Sequence, residues 1–214
     1  TVIDLLSQAG IKFIILSPWQ CNAVENEEGK IIELGSNPAP YREPYILTGK
    51  RGGEITAFFY EPSLASGISF GHYLRNADSL YSTLLDIKNR DKSPIIHTAT
   101  DGEIYGHHEP YGDMALAALI KKVNDGDDFI FDNYGSYMAK HPATKHAVLR
   151  KGEEGKGTSW SCSHGVSRWY KDCGCHTGGD EGWNQKWRTG LRNALNNLGD
   201  KIDAIFSREI DIIF

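Results

Sequence analysis

Apolar positions set the first elements. Val2, Leu5, Leu6 and Ala9 recur at the spacing of one helix face, and Gly10 supplies a natural stop. Lys12–Leu16 then reads as a strand, as do Ile55–Phe59, Pro94–Ile96, Phe129–Phe131 and Ala147–Leu149, short runs rich in β-branched and aromatic residues. Helical spacing covers Gly71–Asn89, Asp113–Asn124, Tyr134–Lys140 and a long terminal segment from Asn184 to Ile205. In the second of these, Met114, Ala115, Ala118 and Leu119 fall on one face. Strands separated by helical segments predict an α/β fold, a parallel sheet or barrel of βα units with a helical C-terminal segment.

Two stretches break the alternation. Residues 22–53 are rich in Gly, Pro, Asn and Glu, and residues 151–182 are rich in Gly with Cys and Trp, so both read as loops. The second is too aromatic for a disordered linker, and is expected as an insertion within a single domain covering 1–214. At 214 residues the chain is long enough to bury a core. Its net charge of −5, with no dense Lys/Arg stripe, argues against nucleic-acid binding. No apolar run reaches the roughly 20 residues of a membrane span. The first residues lack the basic start and cleavage site of a signal peptide, so a cytoplasmic location is expected. The chain opens at Thr1 without Met, directly on a helix–strand unit, and is expected to be a piece of a longer protein.

Charge changes the picture between residues 97 and 113. The Pro94–Ile96 run leads into His97, Asp101, Glu103, His107, His108, Glu109 and Asp113, and a helix follows. Acids and histidines after a strand are how α/β proteins place catalytic groups, at the carboxyl ends of strands. Asp101 and Glu103 are two apart, so in an extended stretch both point the same way, and crowded carboxylates raise one pKa toward the range a proton donor needs. A plain alternative has one acid capping the helix and the other paired with a histidine; the density of ionisable neighbours favours function. A metal at His107, His108 and His97 is disfavoured, because the spacing to Asp113 matches no recurrent zinc pattern and adjacent histidines seldom share an ion.

Cys162, His164, Cys173, Cys175 and His176 crowd one short segment. Packing, a structural zinc and redox chemistry all remain open for it, since Cys173-x-Cys175 is shorter than a standard zinc knuckle. The fourth cysteine is Cys21. Trp19, Trp160 and Trp169 are either core indoles or platforms for the apolar face of a sugar ring.

With these residues in view, the chain resembles glycoside hydrolase family 57, α-glucan-acting enzymes built on an incomplete (β/α)7 barrel. Asp101-Gly102-Glu103-Ile104-Tyr105-Gly106-His107 is similar to that family's fourth motif, whose Asp is the general acid/base. The run from Ser159 through Cys173-Gly174-Cys175 to Arg188 resembles a bacterial branch of the family, and the opening Thr1–Gln20 resembles the stretch after its third motif. The resemblance implies a retaining glycosidase or glucanotransferase acting on α-glucan. Asp101 would be the acid/base, the nucleophilic Glu would lie before Thr1, and the fragment alone would be inactive. It further implies Trp19, His97, Glu103, His107, His108, Trp160 and Trp169 as substrate-binding or orienting residues, with no cofactor and no metal in the reaction. A metal-dependent carbohydrate hydrolase or deacetylase using Asp101 with His107 or His108, and a non-catalytic carbohydrate-binding relic, are the competing readings.

Overall fold

The computed structural model describes residues 1–175 and 179–213, the last three of these by their main chain only. The chain divides into two compact units, Thr1–Leu149 and Arg150–Phe214.

The first unit is mixed α/β. Helix α1 (Val2–Gln8) is capped by Thr1, whose hydroxyl accepts from the Asp4 amide while the Asp4 carboxylate reaches back to the Thr1 amine. Six strands follow: β1 (Phe13–Leu16), β2 (Cys21–Glu25), β3 (Ile31–Glu33), β4 (Tyr45–Thr48), β5 (Glu54–Phe59) and β6 (Lys145–Leu149). They form one sheet in the order β1-β5-β4-β6-β2-β3. β1 runs parallel to β5, with Phe13 opposite Thr56 and Leu16 opposite Phe59, and β4 runs parallel to β6. The other three pairings are antiparallel, so the sheet has the anticipated parallel strands but is mixed.

β5 is buried on both faces because its period-2 alternation meets a partner on each side. Ile55, Ala57 and Phe59 join Leu47, Tyr45 and Ala147 in one core, against which Ile3 and Leu6 of α1 pack. Phe58 points the other way, with its ring 4.8 Å from that of Tyr134 and 5.8 Å from that of His97. Tyr134 opens α5 (Tyr134–Lys140), which was anticipated to the residue.

A second core is helical. It gathers Leu64 and Ile68 of α2 (Pro62–Phe70), Leu80, Tyr81 and Ile87 of α3 (Ala77–Asp91), and Leu119 and Val123 of α4 (Gly112–Asp125), with Leu74 and Ile104 from the connections.

Several expectations need correcting. Pro94–Ile96 and Phe129–Phe131 form no strand. Each lies along a cavity wall instead of pairing into the sheet. Residues 22–53, read as a loop, hold β3, β4 and most of β2. The helix anticipated over Gly71–Asn89 begins only at Ala77, where the Asn76 side chain caps it by accepting from the Ser79 amide at 2.9 Å. His72 just before it is in the left-handed region (φ 57°) and starts a short 3-10 turn, Tyr73–Arg75.

The second unit contains two short 3-10 turns, Glu153–Gly155 and Gly165–Trp169, and the 27-residue helix α6 (Trp187–Ile213). Trp187, Leu191, Leu195, Leu198, Ile202 and Ile205 lie along α6 at intervals of three or four residues and are each about half exposed. Among the described residues, no helix is long and apolar enough to cross a membrane.

Candidate functional site

The Asp101 segment is fixed at both ends and exposed in the middle. Its approach is tied to the end of β5: the Glu61 amide, two residues beyond Phe59, donates to the His97 carbonyl at 2.9 Å. His97 itself is 9% exposed. Its Nε2 lies 3.1 Å from the Tyr41 carbonyl and its Nδ1 lies 3.0 Å from the Tyr134 hydroxyl. A carbonyl only accepts, so Nε2 carries the proton and Nδ1 accepts from Tyr134. Burial holds this imidazole down to about 4, and burial also pushes Tyr134 up to about 12. Both therefore stay neutral in the fold.

Asp101 opens a 3-10 turn, Gly102–Ile104, and the amides of His107 and His108 both return to the Glu103 carbonyl. Ile104 points into the helical core. Beyond the turn, Glu109 is buried, and Arg75 Nε donates to its carboxylate at 2.7 Å while His72 Nδ1 contacts its other oxygen. The Arg75 bond, then the His72 bond, hold the Glu109 carboxyl below its ordinary range. Between these anchors Asp101, Glu103, His107 and His108 are exposed. His108 Nε2 lies 3.2 Å from Glu103, and the His107 and His108 rings stand 4.7 Å apart edge to face. The Tyr105 hydroxyl is 3.1 Å from that of Thr100. Glu109 thus separates from the cluster as a clamp, whereas Asp101 makes no cap with its side chain.

Trp19 lies three residues beyond the end of β1, the parallel neighbour of β5, in the 3-10 turn Pro18–Gln20, and is half exposed. Trp19 and His97 therefore both lie near the carboxyl edge of the parallel pair, the edge at which α/β sheets commonly bind ligands. Trp160 and Trp169 belong to the second unit and are largely and half exposed.

A cavity of about 700 Å³ adjoins this edge, lined by residues 93–98 and 127–134 with Tyr137, Lys140 and His141. Of the residues singled out in the sequence only His97 lines it; Asp101 does not. Two acids on its wall, Asp128 and Asp132, are held below the ordinary carboxylate range. Asp128 is held low by the Tyr81 hydroxyl (2.9 Å) and Lys88 (3.2 Å), and Asp132 by Lys140 (3.0 Å). The Thr98 hydroxyl at its wall is buried and has no hydrogen-bond partner among the described residues. The apolar spelling of 129–131 concealed this cavity. Its visible signal was the Asp127-Asp128 and Asp132-Asn133 pairs flanking that run.

In the second unit Cys162 Sγ lies 3.6 Å from Cys175 Sγ, 4.0 Å from Cys173 Sγ and 3.8 Å from His164 Nδ1. His164 Nδ1 is 3.2 Å from Cys175 Sγ. His176 lies outside the described residues. All four cysteines, Cys21 included, are free thiols.

A mixed sheet with a parallel strand pair and flanking helices places the chain in the α/β class. No protein-family model and no curated protein matches the chain. Among solved structures it is similar to a 4-α-glucanotransferase from Thermococcus litoralis, with a TM-score of 0.55 and 18% identity, covering 81% of this chain and 24% of that one. At that identity the likeness establishes a shared fold.

Proposed function

We propose that this chain carries the acid/base part of an α-glucan-acting enzyme of the retaining type, a glycosidase or glucanotransferase, with Asp101 as the proton donor. The observation that carries the reading is the fold shared with a 4-α-glucanotransferase across 81% of the chain. The resemblance of Asp101–His107 to an acid/base motif fits it. In this reading Asp101 protonates the glycosidic oxygen as the bond to the sugar carbon breaks, and the same carboxylate then takes a proton from the incoming water or sugar hydroxyl. A second carboxylate, about 5–5.5 Å away in enzymes of this type, supplies the nucleophile; it is proposed to lie upstream of Thr1.

The surrounding residues have distinct parts. His97, with both ring nitrogens engaged by Tyr41 and Tyr134, is a positioning residue that holds the strand-end approach to Asp101. Glu103, paired with His108, supplies charge beside it, and exposed His107 is free to meet sugar hydroxyls. Trp19 offers a ring face to a sugar, as Trp160 and Trp169 do in the second unit. The metal-hydrolase reading draws no support from the donors. Among the described residues the group that converges at ligand distance is Cys162, His164, Cys173 and Cys175, not Asp101 with His107 or His108.

The test is Asp101→Asn in the native protein, assayed on an α-glucan and on an aryl α-glucoside with an acidic phenol. Loss of a general acid lowers kcat on the glucan by about 10²–10⁴-fold. The aryl substrate, whose leaving group needs no proton, loses far less in its first step. An equal loss of kcat/KM, which reports that first step, on both substrates, or near-normal glucan turnover, overturns the assignment.

A further inference from the structure

The second unit lacks what normally holds a fold together. Both apolar cores consist of residues before Arg150. Among the described residues from Arg150 onward, Cys162 is the one buried hydrophobic side chain. Strands are absent there too, and the indoles Trp160, Trp169, Trp183 and Trp187 are exposed. A loop-rich segment without a core needs a cross-link or a metal to order it.

Cys162 is one of four soft donors that converge. Cys162 Sγ, His164 Nδ1, Cys173 Sγ and Cys175 Sγ all lie within 4.8 Å of one another. A tetrahedral ion with bonds of ~2.3 Å to sulfur and ~2.0–2.1 Å to nitrogen requires donor separations of about 3.8 Å between sulfurs and about 3.5 Å from sulfur to nitrogen. Two of the three sulfur pairs, 3.6 and 4.0 Å, and two of the three sulfur–nitrogen pairs, 3.8 and 3.2 Å, bracket those values, and the other two pairs lie within 4.8 Å. A disulfide would bring two sulfurs to ~2.05 Å, which no pair approaches.

The local backbone is built to converge these donors. Cys162 and His164, and Cys173 and Cys175, are each separated by a single residue, and the turns at these steps keep both donors of a pair close together. Gly174, between the two cysteines, sits at φ +81°, and its amide donates to the Asp172 carboxylate at 3.1 Å, turning the chain about the thiols. Gly165 (φ +68°) turns the other arm, where its amide donates to the Cys162 carbonyl at 3.0 Å. A Cβ at Gly165 would approach the Gly157 carbonyl oxygen to 2.6 Å, so the position admits only glycine without rearrangement. The Ser167 hydroxyl, fully buried, donates to the His164 carbonyl at 2.6 Å.

We propose that Cys162, His164, Cys173 and Cys175 bind one structural Zn²⁺ that orders the second unit. Three thiolates and an imidazole in a tetrahedron are the donor set and geometry zinc prefers, and four protein ligands leave no open position for catalysis. The site takes no part in the glucan chemistry proposed above, so either reading can fail without the other.

The test uses the full chain, expressed with zinc and dialysed under reducing conditions. Elemental analysis is expected to find one zinc per chain. The Cys21→Ser variant retains it, whereas Cys162→Ser and Cys175→Ser each weaken zinc binding beyond the ~10–100-fold that loss of a supporting contact causes. The unaltered chain, loaded with Co²⁺ alone, should show the strong visible bands of tetrahedral cobalt together with thiolate-to-cobalt charge transfer; this readout does not depend on any variant folding. The proposal is overturned by substoichiometric zinc with an octahedral cobalt spectrum, by full zinc retention in Cys175→Ser, or by a Cys162–Cys175 disulfide in protein purified without oxidant.

Discussion

Burial takes the charge from His97, and that choice has a pH signature. The imidazole falls from an ordinary value of 6.5 to about 4 because the fold desolvates it. The unfolded chain therefore binds a proton between these values that the folded chain does not. Stability from this group is complete above about 6.5 and is lost as pH falls toward 4, by up to about 3 kcal/mol. Urea unfolding of the wild type and of His97→Gln, compared from pH 7 to pH 4, should show the wild type losing the extra stability over that window; parallel curves would refute the assignment. The same residue shows how far the sequence could be read. A histidine before an acid cluster was visible as a candidate. That Tyr41, 56 positions away, would occupy one nitrogen and Tyr134 the other was not, because both are long-range contacts, the second made when α5 packs across Phe58.

At the scale of elements, the Asp101 turn depends on what flanks it. Ile104 is 6% exposed within the helical core, and the start of α4 presses so close that a Cβ on Gly112 would meet the Ile104 carbonyl oxygen at 3.3 Å. Truncating Ile104 to Ala should cost about 2–5 kcal/mol in urea unfolding, the range for a buried aliphatic whose cavity does not collapse. A change below about 1 kcal/mol would mean the turn is held by Glu109 and its cationic partners alone. Helices were the legible elements here. α4 carries apolar periodicity over several turns and α5 starts at the Asn133 cap, so local pattern suffices for both. Three strands were legible too, since the apolar runs Lys12–Leu16, Ile55–Phe59 and Ala147–Leu149 fall on β1, β5 and β6, whereas β2, β3 and β4 were not. β3 shows Ile31 and Ile32 to solvent at the sheet edge, and β2 carries Asn22 and Glu25 among its apolar residues, so neither has the apolar run that marks a buried strand. Conversely Pro94–Ile96 has the apolar spelling, yet Pro94 lacks an amide for a ladder and the segment makes its one sheet-end bond at His97. The acid cluster therefore follows an extended, cavity-lining stretch and not the paired strand that the sequence suggested.

For the molecule as a whole, stability is unevenly supplied. Residues 1–149 own both apolar clusters and the whole six-stranded sheet, while the second unit combines a long helix with a turn-rich segment whose convergent feature is the Cys162–Cys175 donor group. Apolar burial does not depend on a metal, but ordering by coordination vanishes when the ion leaves, because binding free energy is folding free energy at such a site. Amide hydrogen exchange with and without a zinc chelator separates the two contributions. Protection in β5, β4 and α4 should be unchanged, since their opening is governed by burial of Ala57, Leu47 and Leu119. Protection between Gly157 and Cys175, where the Gly157, Gly165 and Tyr170 amides are engaged, should fall sharply with the chelator and return on adding zinc. Equal protection in that span under both conditions would show that its backbone hydrogen bonds hold without the ion. A chelator-induced loss throughout residues 1–149 would show instead that the apolar cores do not stand on burial alone.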